Sequence, residues 1–223
     1  MTERMDRVIN ILIESFIPLL KAGATFTVPL TLIAFTAGLA IAFFIAIVRV
    51  LKIRGLTGIV KTFVWIIRGT PLLVQLFIIF YGLPSIGVTL NSLVSASIGF
   101  SMSVGAYASE IIRGAIESVS KGQWEASKAL GFKKIDTLKL IIIPQAIKVA
   151  IPPLSNSFIS LVKDTSLAAA ITVPEMFQIA QRITARTYEP LWLYTEAAVI
   201  YLMISTVLTI IQSRLEVKFS EYV

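Results

Sequence analysis

Three charged residues stand where the surrounding sequence is apolar enough to lie in a membrane: Lys163 and Asp164 in the run that ends near Val173, and Glu196 in the run that starts at Pro190. An ionised side chain at the centre of a lone spanning helix costs about 2.5 to 3.5 kcal/mol on insertion scales, so each must face protein, water or a ligand. A carboxylate in a low-dielectric cavity attracts an ammonium or guanidinium group; the alternative is an interhelical ion pair. In the ligand reading, Asp164, Glu196 and Lys163 bind the solute, and Asn156, Gln75, Tyr107 and Thr165 orient it. The chain contains no Cys and no His, so thiolate chemistry and the commonest general base are missing. No glycine-rich stretch is followed by Lys-Ser or Lys-Thr in the phosphate-loop pattern. The remaining carboxylates are scattered over separate apolar runs and form no catalytic constellation, so the chain does not read as an enzyme.

The elements that must position these groups are membrane helices. Hydrophobic residues make up 56% of the 223, and the formal charge of +7 is concentrated in short loops beside apolar runs. That pattern gives topology rather than affinity for nucleic acid. Residues 1–21 have apolar positions at helical spacing, Met5, Val8, Ile9, Leu12, Phe16, Leu19 and Leu20, and read as an interfacial amphipathic helix. Spans follow at about 25–50, 59–83, 92–112, 153–173 and 190–213. Arg49, Lys52, Arg54 and Lys61 mark the first connection as cytoplasmic, which puts the amino terminus outside and the carboxyl-terminal RLEVKFSEYV in the cytoplasm.

Prolines shape the reading of two runs. In the second, either the helix kinks at Pro71, or it ends near Arg68 and restarts with Thr70 as N-cap; the latter is preferred. In the fourth, a single helix over 138–162 would have to absorb Pro144, Pro152 and Pro153. The preferred layout lays 138–151 along the interface and starts the span at Pro153, which puts Asp164 near the midplane. Pro174 reads as the first residue of an external helix over 174–187. Ser95, Gly99 and Ser103 recur every four residues, a face that lets another backbone come close. Glu110 and Arg113 are spaced to pair.

One polar island remains, Ser120 to Pro144, SKGQWEASKALGFKKIDTLKLIIIP. Ser120 and Gln123 have capping-box spacing, and Gly131 is the residue type that closes a helix in the left-handed region. A helix of under three turns is marginal alone in water, so it must pack on something. Trp124, Leu130 and Phe132 supply apolar anchors.

Glu125-Ala126-Ser127, three residues, Gly131, nine residues, Ile141, one residue, Ile143 and Pro144 resemble the EAA loop of ABC importer permeases, departing from its pattern at Ser127 and Ile143. Arg68-Gly69-Thr70-Pro71 and the stretch from Tyr107 through Gln123 resemble the polar amino acid branch. The resemblance implies an all-α, polytopic membrane protein: a single permease domain over 1–223 with five transmembrane helices and a cytoplasmic coupling loop at 120–144. It implies that Trp124, Glu125, Ala126, Leu130, Gly131 and Phe132 meet a separate ATP-binding cassette subunit. It further implies a second permease subunit, an identical chain or otherwise a paralogue, an external solute-binding protein, and residence in a bacterial inner membrane. No cofactor is expected on this chain; ATP and Mg belong to the partner. The expected solute is a polar amino acid, and Asp164 favours a basic one such as arginine. The alternative is an ion-coupled secondary amino acid transporter with Glu110, Asp164 and Glu196 as a proton relay.

Overall fold

Apolar runs bounded by glycine, proline and polar turns give helices throughout the computed structural model, which describes residues 2–220. Helix α1 (Thr2–Ala22) passes through a π turn, Gly23–Thr27, into α2 (Val28–Leu51). Then come α3 (Leu56–Gly69), α4 (Leu72–Phe77), α5 (Ser92–Ser118), α6 (Lys121–Ala129) and α7 (Lys134–Thr137). A second π turn, Leu138–Ile142, leads into α8 (Ile143–Asp164), which tightens into a 3-10 segment, Thr165–Ile171. Helices α9 (Met176–Thr187) and α10 (Pro190–Ser220) complete the chain. Among the described residues three helical stretches are long and apolar enough to cross a membrane, or four if the broken pair α3 and α4 counts as one span, against the five expected. The third expected run, in α5, falls outside this count because its many serines and glycines dilute its hydropathy.

Several local expectations are corrected. The helix from Lys134 runs unbroken to Ile171, so the layout set aside, a single helix through Pro144, Pro152 and Pro153, is the one adopted. A proline removes one backbone bond and crowds the preceding turn, but the π turn just before Pro144 absorbs the irregularity there. Helix α9 begins at Met176 with Glu175 as its N-cap, not at Pro174. Helix α10 runs on to Ser220, past its candidate span Pro190–Arg214, which agrees with the expected 190–213; residues 221–223 of the expected tail lie outside the described residues. Between α3 and α4 the chain does break, as preferred: Thr70 is extended, and its hydroxyl donates back to the Ile66 carbonyl at 2.9 Å.

By contacts the chain divides into two compact units, with the divisions falling inside α2, α4, α5, α8 and α10. The first comprises residues 1–34, 73–99 and 159–210. Its core gathers Leu19, Met176, Ala180, Ala197 and Ile200, with Phe177, Tyr201 and Ile204 against them. Here α1 packs on α9, so Val8 and Leu19 are buried while Ile13 and Ile17 face outward. The second unit comprises 35–72, 100–158 and 211–223, and its core joins Ile45 and Val48 of α2 to Val60, Val64 and Ile67 of α3 and Ala106 of α5.

Candidate functional site

The polar island forms the expected helix, closed at both ends by the residues the sequence singled out. Ser120 is the N-cap of α6, its hydroxyl accepting from the Gly122 amide at 3.3 Å. Gly131 lies at φ +82°, and the Phe132 amide donates to the Ser127 carbonyl at 3.1 Å, which ends the helix in a left-handed turn. Ser127, where the EAA pattern has alanine, is buried and its hydroxyl lies 2.6 Å from that of Thr137. This bond ties α6 to α7, and no motif announced it. Lys134 Nζ donates to the Val50 carbonyl at 3.3 Å and so fastens the segment to the end of α2.

Beside its exposed lysines the segment leaves several apolar side chains uncovered. Leu130 is 76% exposed, Ile135 and Leu140 60% each, and Phe132 41%. Glu125 and Ala126 are exposed and Trp124 is half-buried.

The second unit also holds a charge cluster that was only partly foreseen. Glu110 pairs with Arg113 at 2.8 Å, as its spacing predicted, but it also pairs with Arg49 and lies 3.9 Å from Arg68. Arg113 pairs in addition with Glu117. The Arg68 guanidinium sits over the Tyr107 ring, 5.3 Å from its centroid. Arg49 is 61 residues from Glu110, beyond the reach of any spacing rule.

In the first unit the polar contacts gather on α9 and α1. The Glu175 carboxylate accepts from the Phe177 and Gln178 amides at 3.0 and 2.7 Å, and Tyr201 donates its hydroxyl to it at 2.6 Å. Burial pushes the Glu175 carboxyl above the usual range, although these three donors pull the other way. Ser15 donates to Glu196 at 2.5 Å, so the carboxylate proposed from sequence to meet solute is engaged by α1. Arg4 pairs with Glu189 at 3.4 Å, and Arg7 donates to the Thr187 carbonyl at 3.1 Å.

The other solute candidates are distributed as follows. Lys163 and Asp164 are adjacent and exposed at the end of α8, and Gln75 is buried in α4; all three belong to the first unit with Glu196. Tyr107 and Asn156 belong to the second, where Asn156 Oδ1 accepts from Gln212 at 3.0 Å.

The family model described as "Binding-protein-dependent transport system inner membrane component" matches residues 38–221. The chain belongs to the ABC importer permeases. The permease is 51% identical over 211 residues to the L-cystine transport system permease protein TcyB of Bacillus subtilis, covering 94% of this chain and 90% of that one. It is 35% identical over 202 residues to the glutamine transport system permease protein GlnP of Escherichia coli, covering 90% and 92%. Its fold matches a chain in the crystal structure of an amino acid ABC transporter with histidines, at a TM-score of 0.82 and 31% identity over 96% of this chain and 97% of that one. A chain of the MetNI methionine ABC transporter matches in fold at a TM-score of 0.76 and 18% identity, over 90% and 96%. The permease is therefore an inner-membrane, multi-pass component of an ABC importer for polar amino acids, and is not itself an enzyme. Such a component works within a complex that includes an ATPase subunit.

Proposed function

We propose that this permease carries L-cystine or a closely related polar amino acid inward, driven through α6 by a separate ATP-binding subunit. The exposed apolar rim of the polar island, Leu130, Phe132, Ile135 and Leu140, carries the mechanical half of the reading. Closure of the ATPase pair pushes on Trp124, Glu125, Ala126, Leu130, Gly131 and Phe132, and α6 passes the motion to the spanning helices as a rigid lever. The Ser127–Thr137 bond and the Lys134–Val50 bond keep that lever from slipping. Residues 1–223 act as one permease domain with five spans, the amino terminus outside and the carboxyl terminus in the cytoplasm. Two such chains, identical or paralogous, surround the pathway; an external solute-binding protein delivers the solute, and ATP with Mg is bound by the partner.

The 51% identity to TcyB supports cystine. A second reading, a basic amino acid such as arginine, is favoured by Asp164, exposed at the end of α8. Either solute presents an ammonium group to Asp164 and a carboxylate to Lys163, both exposed at the end of α8. The discriminating experiment is ATP hydrolysis by the assembled transporter with its binding protein, across cystine, glutamine, histidine and arginine. Cystine should stimulate most. Asp164→Asn should weaken transport of cationic solutes more than of neutral ones, and equal transport of both would remove Asp164 from the pathway.

A further inference from the structure

A cavity of about 430 Å³ opens in the second unit among Arg49, Lys61, Arg68, Tyr107 and Glu110, with Trp65 on its lining. Three cations there face one carboxylate, and that carboxylate is already shared among Arg49, Arg68 and Arg113. Lys61 is exposed and has no ion-pair partner among the described residues. The pocket thus holds an excess of two positive charges. Beside it, α3 divides into two apolar faces. Val60, Val64 and Ile67 enter the core, while Trp65 is 75% exposed, Ile59 66% and Ile66 47%.

A ligand that satisfies both features has an anionic head and a hydrocarbon body. A free phosphate or a nucleotide would use the cations and leave the Trp65 face bare. The pocket lies at the α2 end that Lys134 of the polar island grips, and the basic connection 49–61 marks that end as cytoplasmic. We infer that the pocket seats the phosphate of an anionic phospholipid of the cytoplasmic leaflet. Arg68, stacked on Tyr107, and Lys61 meet the headgroup, and Trp65 and Ile66 lie along the upper acyl chains, the arrangement that basic pockets and interfacial tryptophans give lipid headgroups generally. This inference needs only membrane insertion and does not depend on the solute carried.

The test is Trp65 fluorescence in the assembled transporter in nanodiscs, isolated by subtracting the signal of Trp65→Phe. Doxyl-labelled phosphatidylglycerol should quench Trp65 several-fold more effectively than doxyl-labelled phosphatidylcholine at equal mole fraction. Removing one cation with Lys61→Gln should lower that preference about five-fold, whereas Arg186→Gln, on the exposed side of α9, should leave it unchanged. Lys61 is a surface residue, so its loss should not impair folding. Equal quenching by the two lipids would overturn the inference, as would quenching by neither, which would mean that another protein chain covers the face. Abolition of the preference by millimolar inorganic phosphate would make the pocket a soluble-anion site and overturn it equally.

Discussion

Gly131 shows how one residue can set the end of a helix. A side chain added there meets nothing within 4 Å, so any penalty comes from φ +82° alone. The left-handed region costs a non-glycine residue about 1 to 2 kcal/mol, more for a β-branched one and less for asparagine. Gly131→Val should therefore unseat Leu130 and Phe132 and abolish solute-stimulated ATP hydrolysis with insertion intact, while Gly131→Asn should retain most of it. Full coupling in the valine variant would detach the turn from function. Glu175 offers a second residue-scale prediction. Its carboxyl titrates higher in the folded protein than the ordinary 4.5, because burial disfavours the ion. The proton is then held more tightly folded than unfolded, so stability is lost as pH rises from the unfolded value through the folded one. Melting temperatures of wild type relative to Glu175→Gln should accordingly fall as pH rises above 4.5, and a rising difference would show that the two amides and Tyr201 dominate over burial.

Among the elements, α5 is where small residues do the most. A Cβ on Gly105 would lie 2.6 Å from Cγ2 of Ile41 and 2.9 Å from its Cβ, too close for a rotamer change alone to relieve. Gly105→Ala should cost roughly 1 to 3 kcal/mol through overpacking of α5 on α2. Gly114→Ala, in the same helix with nothing within 4 Å, should be neutral or slightly stabilising. Thermal unfolding in detergent separates the two, and equal melting temperatures would refute the close approach. The sequence pointed to such a face through Gly99, which sits where a Cβ would be 2.6 Å from Leu76, because four-residue spacing is a local rule. Ser120, Gly131 and the Glu110–Arg113 pair were legible for the same reason. The continuous α8 was not, since the cost of an interior proline is a local estimate, whereas the π turn and the surrounding helices that accommodate it are set by the whole chain. Nor was the bond between Ser127 and Thr137, nor Arg49 on Glu110: these join segments whose meeting no periodicity encodes.

At the scale of the molecule, the question is where the energy for transport enters. An ion-coupled transporter would need Glu110, Asp164 and Glu196 to pass protons, yet Glu110 is held by arginines and Glu196 accepts from Ser15, so two of the three are committed to structural bonds. The polar island has the opposite character: Leu138 and Ile142 are buried and Ser127 is tied to Thr137, while Leu130 and Ile135 remain uncovered. A rigid segment with a bare apolar rim transmits force only if something presses on it. Replacing Leu130 with aspartate should therefore reduce recovery of the ATPase subunit with the permease at least ten-fold without altering the permease's own yield, because a desolvated apolar anchor of this size contributes more than about 1.4 kcal/mol to an interface. In liposomes that contain the assembled transporter and its binding protein, uptake should require ATP, persist in a protonophore, and vanish with the same substitution. Accumulation by the permease alone on a proton gradient would mean that the rim serves some other partner and that the carboxylates, not α6, drive the cycle.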